Sequence, residues 1–260
     1  MSEALGFGYI TSLSGGESVT DFHAHVIPGI DDGSKSVEMS LSMMREEQEQ
    51  GVKAVVATPH FYAHQTSVRQ FLHRRTEALA SLKQAMESEA APFPEIYAGA
   101  EVYYFREMGR AEQLPELCIG QTRTILIEMP FAQWDDQVLG NIRAIIEKQK
   151  LTVVLAHVER YIGFQKNKTI WNRVMELPLY PQINAGSFCR KKHTVFAREK
   201  TRKFAMEHLR KHPDLILGSD CHNLTSRRPN LAAGRAEIES AFGKEALERI
   251  DEVTSRVLSA

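Results

Sequence analysis

The sequence predicts an α/β chain in which short strands alternate with helices and close into a parallel barrel. Three observations predict it. About seven β-branched or apolar runs are each followed by an amphipathic stretch. No Gly/Pro-rich linker is long enough to divide the series. Histidines and carboxylates recur at the ends of the apolar runs, which is where barrels of this class carry their chemistry.

Residues 1–18 are rich in Gly and Ser and weakly periodic, so they read as an N-terminal extension, with 19–260 as one domain. Val19–His23 predicts the first strand. Val37–Gln50 predicts a helix with Val37, Leu41 and Met44 on one face and Gly51 as its stop. Val52–Thr58 reads as a buried strand. Val68–Glu89 places Val68, Phe71, Leu72, Leu79, Leu82 and Met86 on one stripe of a long helix. Further strands are expected at Ile96–Val102, Thr124–Glu128, Leu151–Ala156, Gln182–Asn184 and Leu215–Ser219. Between them, Val138–Lys148, Ile170–Glu176 and Thr194–Lys211 read as helices. A terminal helix over Leu231–Leu258 should break near Gly243. Strands separated by helices imply parallel pairing, and seven or eight units favour a closed barrel over an open sheet.

The bulk properties exclude several classes. Net charge is −1 with no basic arm, so electrostatics do not nominate a nucleic acid. Cys118, Cys189 and Cys221 are too few and too scattered for a disulfide framework, which points to a reducing compartment. Met1 to Thr20 lacks a charged segment leading into an apolar core. No apolar stretch approaches the roughly 18 residues a bilayer span needs. The expectation is a cytoplasmic protein with no direct membrane insertion; homo-oligomerisation is left open.

The chemistry-bearing residues fall at strand ends. His23 and His25 form an H-x-H pair, and period-two alternation turns both imidazoles to one side of a strand. Asp21 is expected to accept a hydrogen bond from one of them. In Gly29-Ile30-Asp31-Asp32-Gly33, Asp32 reads as the ligand and Asp31 as solvent-facing or structural. His60 follows the second strand in Thr-Pro-His. Glu101 ends an otherwise apolar strand, and an unpaired carboxylate there needs cations. His157 and Arg160 leave the fifth strand together, and Asp220 and His222 leave the last. His64 reads as solvated, and His73, His193, His208 and His212 as surface residues.

His23, His25, Asp32, His60, Glu101, His157, Asp220 and His222 exceed what one ion needs. Two or three ions fit, and mixed N/O donors without a thiolate suit Mn, Fe or Zn. Three divalent ions against three carboxylates and a hydroxide leave a positive pocket, to which Arg160 and Arg227 add. Such a pocket wants a phosphate dianion, which a guanidinium fork matches. Cys221 and Arg227 also have the C-x5-R spacing of cysteine-dependent tyrosine phosphatases. The intervening residues hold no glycine for a phosphate-cradling loop, so the thiol reading is set aside.

The stretches Asp21–Gly33, Ala57-Thr-Pro-His60, Gly99-Ala-Glu-Val-Tyr-Tyr104, Leu126-Ile-Glu128, Ala156-His-Val-Glu-Arg160 and Gly218-Ser-Asp-Cys-His-Asn223 with Arg227 carry a resemblance. They resemble the PHP (polymerase and histidinol phosphatase) superfamily. Within it they look like the manganese-dependent bacterial protein-tyrosine phosphatases of capsule and exopolysaccharide operons. The resemblance implies a distorted (β/α)7 barrel with three divalent ions, Mn2+ first and Fe or Zn as alternatives. It implies His23, His25, Glu101 and Asp220 around one ion. His60, His157 and the shared Glu101 would hold a second, and Asp32 and His222 much of a third. Arg160 and Arg227 become phosphate clamps, with Asp220 and His222 also beside the reacting group. The implied substrate is the phosphotyrosine tail of a membrane-associated bacterial tyrosine kinase controlling polysaccharide export. A metal-bridging hydroxide would attack phosphorus in line, and Tyr103, Tyr104 and Phe131 are candidates to flank the phenyl ring. Other PHP phosphoesterases, acting on histidinol phosphate or nucleotides, and a non-catalytic metal-binding module are the alternatives.

Overall fold

The computed structural model describes residues 19–190 and 196–260. The expected extension over 1–18 and the expected surface position of His193 therefore lie outside the described residues. In chain order the elements are β1 (Thr20–Ala24), α1 (Val37–Glu49), β2 (Ala54–Ala57), β3 (His60–Phe61), α2 (Val68–Glu87), β4 (Glu95–Ala98) and β5 (Glu101–Tyr103). There follow β6 (Thr124–Glu128), α3 (Asp136–Glu147), β7 (Thr152–Leu155), α4 (Thr169–Met175), β8 (Tyr180–Asn184), α5 (Phe196–Lys211), β9 (Ile216–Gly218), α6 (Leu231–Phe242) and α7 (Lys244–Leu258).

Two expected strands are each interrupted. The run Val52–Thr58 ends at Ala57 and resumes as β3 after Pro59, which has no N–H to donate to a ladder. Ile96–Val102 breaks at Gly99-Ala100 into β4 and β5. A Cβ on Gly99 would lie 3.0 Å from Ile119 Cγ1, so the chain passes close to its neighbour there. Hydrogen bonds bridge both breaks: Gly99 N–H donates to Ala57 O at 2.8 Å, and Glu101 N–H to Pro59 O at 3.1 Å. Each pair of short strands thus runs as one bent stave.

All pairings are parallel, in the orders β1-β2-β4 and β3-β5-β6-β7-β8-β9. The result is an α/β fold on a curled parallel sheet. The end of β9 meets β1 through a bridge between Ala24 and Cys221. There, His25 N–H donates to Cys221 O at 2.9 Å and Asp220 N–H to His23 O at 2.7 Å.

Alternation along the strands sorts the core into two layers. Val56, Leu126, Val154 and Ile216 point into the curl with Phe22, and Val253, Val257 and Leu258 of α7 close its lower end. Their neighbours Val55, Ile125, Ile127, Val153, Leu155 and Leu217 point outward under the helices. Helix starts follow local chemistry: Ser67 caps α2 in a reciprocal box with Gln70, and Asp135 caps α3. The expected break near Gly243 separates α6 from α7, with φ of +85° that glycine tolerates. Among the described residues, no helix is long and apolar enough to cross a membrane.

His208 corrects one expectation, because it is half-buried rather than on the surface. Its ring stacks on Phe204 at 5.4 Å and lies 5.0 Å from His212, which follows the last residue of α5. Burial, aided by His212, pulls its pKa down to about 4. Between 6.5 and about 4 the unfolded chain binds a proton that the folded chain refuses, so stability falls as pH drops through that window. Urea titrations should show a His208→Gln variant losing about 1–2 kcal/mol less stability than the parent between pH 7 and 5. Parallel pH profiles for the two proteins would contradict this.

Candidate metal centre

The strand ends converge on Glu101. Its carboxylate is 1% exposed, and four imidazoles surround it. His23 Nε2 and His25 Nε2 each lie 3.3 Å from Glu101 Oε2, and 3.1 Å from one another. His60 Nδ1 is 2.9 Å from Oε2, and His157 Nε2 is 2.9 Å from Oε1. Asp220 Oδ1 stands 3.6 Å from the Nε2 atoms of both His23 and His25. Asp32, 63% exposed, lies at the mouth, with Oδ1 3.4 Å from His60 Nε2 and 3.3 Å from His222 Nε2. All eight expected donors are brought together.

Their atoms fall into overlapping groups with metal-site dimensions. His25, Asp32, His60 and His222 each offer an atom within 4.8 Å of the others, as do His23, His25 and Glu101, and His60, Glu101 and Glu128. Glu128 was not expected as a ligand. Its Oε1 is 3.6 Å from His157 Nε2 and its Oε2 3.8 Å from His60 Nδ1. The signal for it was in the sequence, because Thr-Ile-Leu-Ile-Glu ends an apolar strand in a carboxylate just as Glu101 does.

A cation fits these donors. His60 Nδ1, Glu101 Oε2 and His222 Nε2 are buried without hydrogen-bond partners. Buried lone pairs facing one another across about 3 Å cost free energy unless positive charge lies between them. Burial pushes the His25 imidazolium down, yet Asp31 and Glu101 outweigh it and raise it to about 10. Burial next to Glu101 raises Glu128 to about 7. Burial instead pulls His222 down to about 3, which leaves a neutral imidazole free to bind a metal ion.

The supporting residues differ in part from expectation. Asp31 takes the structural one of its two expected roles: its Oδ2 accepts from His25 Nδ1 at 2.7 Å and from His60 N–H at 2.9 Å. Gln182 on β8 orients His23, with Oε1 3.1 Å from His23 Nδ1 and 2.7 Å from the His157 amide. Gln182 Nε2 donates to Asn184 Oδ1, and Asn184 Nδ2 to Asp220 Oδ2, both at 2.9 Å. Such partners fix tautomer and ring orientation.

Asp21, expected to orient an imidazole, touches none. The β1 register shifts between Asp21 and Ala24, and this bulge breaks the period of two. Phe22 and His23 both face inward, while Asp21 faces α1. Its Oδ1 accepts from the backbone N–H groups of His23 and Ser219 at 3.1 and 2.8 Å. Asp21, Glu47 and Cys221 form a buried group beneath the centre. The Cys221 thiol is 3.6 Å from Glu47 Oε1 and fully buried, and burial beside Glu47 pushes its pKa up. A thiol so placed faces away from the mouth and is no nucleophile.

Arg160 and Arg227 stand at the mouth, 41% and 38% exposed. Arg227 Nη2 donates to Asp220 Oδ1 at 2.7 Å, and Arg160 Nη1 is 3.5 Å from Oδ2. Both guanidinium groups therefore reach the rim of the same cluster. His157 and Asp220 hold φ of 31° and 55°, a left-handed conformation uncommon for non-glycine residues. His64 is exposed, as expected, and so is His73. Tyr104 points away from the mouth, its hydroxyl accepting from Asn141 Nδ2 at 2.8 Å.

The pattern characteristic of the CpsB/CapC family of capsular polysaccharide synthesis matches residues 19–257. The chain belongs to that family. It is 28% identical over 229 residues to the tyrosine-protein phosphatase CpsB of Streptococcus agalactiae, covering 86% of this chain and 91% of that protein. It is 25% identical over 236 residues to the tyrosine-protein phosphatase YwqE of Bacillus subtilis, covering 86% and 85%. A solved structure from work on YwqE of B. subtilis and CpsB of Streptococcus pneumoniae, described as metal-dependent tyrosine phosphatases, superposes with a TM-score of 0.76. That match covers 92% of this chain and 95% of the other at 23% identity, and it shows the shared fold.

The fit at the β1–β9 seam is tight enough to test. A Cβ on Gly218 would lie 2.5 Å from His23 Cβ and 2.9 Å from its backbone nitrogen. A Gly218→Ala variant should lose about 1–3 kcal/mol of stability and bind Mn2+ more weakly by calorimetry. Unchanged melting and unchanged metal affinity would show that the seam does not set the position of His23.

Proposed function

We propose that this chain is a metal-dependent protein-tyrosine phosphatase of capsule or exopolysaccharide synthesis. The observation that carries the reading is the convergence of five imidazoles and four carboxylates, Glu101 among them, with two arginines at the rim. The names of the relatives in the family support the same activity.

His23, His25, Glu101 and Asp220 would hold one ion, His60, His157, Glu101 and Glu128 a second, and Asp32, His222 and neighbouring imidazoles a third. Mixed N/O donors without a thiolate support Mn2+, with Fe or Zn as alternatives. Divalent ions held there supply Lewis acidity toward a phosphoryl oxygen and activate water. The chain's own residues do the rest. Arg160 and Arg227 bind the outer phosphoryl oxygens and orient the ester, swinging from the Asp220 oxygens they hold here. Gln182, Asn184 and Asp31 keep the imidazoles and Asp220 in register. Phenolate leaves readily, so proton delivery to it is a modest demand.

The staves β1, β2/β3, β4/β5, β6, β7, β8 and β9, joined at the seam, support reading the sheet as a distorted (β/α)7 barrel of the PHP type. The family match beginning at residue 19 supports a single domain after an N-terminal extension. The few, scattered cysteines support a reducing, cytoplasmic location. The substrate we infer is the phosphotyrosine tail of a membrane-associated tyrosine kinase.

Turnover of a phosphotyrosine peptide should vanish with chelator and return with Mn2+. Arg160→Ala should raise KM about ten- to a hundred-fold while the metal content stays the same. Chelator-insensitive turnover, or faster hydrolysis of histidinol phosphate than of phosphotyrosine, would overturn the reading.

A further inference from the structure

Two aromatic walls rise from opposite sides of Glu101. On one side Tyr62 stacks on His60, with centroids 5.2 Å apart and an interplanar angle of 30°, and Tyr103 lies 5.6 Å from Tyr62. On the other side Phe131 lies nearly parallel to His157, at 6.1 Å and 19°. The Arg160 guanidinium carbon sits 4.9 Å from the centre of the Phe131 ring. Phe164 then meets Phe131 edge-on, at 5.8 Å and 67°. His60 and His157 each approach Glu101 at 2.9 Å, so the two walls flank a single carboxylate.

Phe164 is the one large hydrophobic side chain that stands exposed among the described residues, at 44%. A phenyl ring left in water beside a charged cluster forgoes burial that a partner ring could provide. Its place decides which partner fits. Arg160 lies over Phe131, so a phosphate gripped by Arg160 carries its ester substituent along the Phe131 face. A substituent leaving in that direction would run along Phe131 toward Phe164, whose ring centre lies 5.8 Å further on. A flat ring attached directly to that oxygen fills this path, whereas a short alkyl ester leaves Phe164 untouched.

We propose that Phe131 and Phe164, facing Tyr62 and Tyr103, form a slot for the aryl ring of the phosphomonoester, with Phe164 determining aryl over alkyl specificity. The inference rests on the tyrosine-phosphatase reading above and deepens it by naming Phe164 as the residue that sets the preference for an aryl ester. Phe131 and Tyr62 also pack on candidate metal ligands, so their removal would disturb the centre itself. Phe164 touches no ligand, and its variants isolate the slot.

The test uses the full chain loaded with Mn2+ and two probes, phenylphosphonate and methylphosphonate, titrated by calorimetry. The parent should bind phenylphosphonate more tightly than methylphosphonate. Phe164→Ala should lose about three- to ten-fold of that aryl advantage, the range expected from one ring–ring contact. Phe164→Trp should keep the advantage. With a phosphotyrosine peptide the loss in Phe164→Ala should fall on KM rather than kcat. The slot is overturned if Phe164→Ala keeps the full aryl preference, or if both phosphonates weaken equally. A parent that hydrolyses no phosphomonoester would sink the phosphatase reading instead, and the phosphonate comparison would still decide the slot.

Discussion

The buried carboxylate of Glu101 is the constraint on which the rest of the structure depends. It is enclosed by four imidazoles at about hydrogen-bond distance, with too few protons among them to satisfy every lone pair. An ion pair with an arginine would have relieved the cost, but Arg160 and Arg227 stand further out, on Asp220. Positive charge between these donors would offset that cost. Bound cations ringed by the two guanidinium groups would attract a dianion, which is the basis of the phosphatase reading proposed above.

Bringing these donors together depends on the junction of the first and last strands. His23 and His25 leave β1, and Asp220 and His222 follow β9. The two ends are tied by backbone hydrogen bonds across the seam and by Asp21, which accepts from an amide on each strand. Gly218 permits β9 to pass against His23 without a Cβ between them. At the far end of the curl, α7 fills the interior with Val253, Val257 and Leu258. The polar centre thus sits on an apolar plug, and the mouth is left to the arginines and aromatic rings.

Much of this was legible in the sequence, because strand ends and ligand types are local signals. The H-x-H pair, the Thr-Pro-His turn and the Asp-x-His pair each mark a donor at a strand end, and all eight expected donors converge. The misreadings have physical causes. Asp21 was expected to orient an imidazole, and a bulge that no residue type announces turned it to the other side. Gln182 and Asn184 are ordinary residues in a strand, and only the three-dimensional neighbourhood gives them their roles. Glu128 was readable by the argument that found Glu101. The split of two strands followed from Pro59 and Gly99, which the apolar runs around them concealed.

The most direct test of the central claim is an elemental count of ions per chain, for the parent and for a Glu101→Gln variant exposed to Mn2+, Fe2+ and Zn2+ in turn. Neutralising the shared carboxylate removes the group that every neighbouring donor faces. The account predicts more than one ion per parent chain, and a loss of most of them in the variant although it still folds. A parent that stays metal-free with every ion, or a variant that binds as many as the parent, would contradict it.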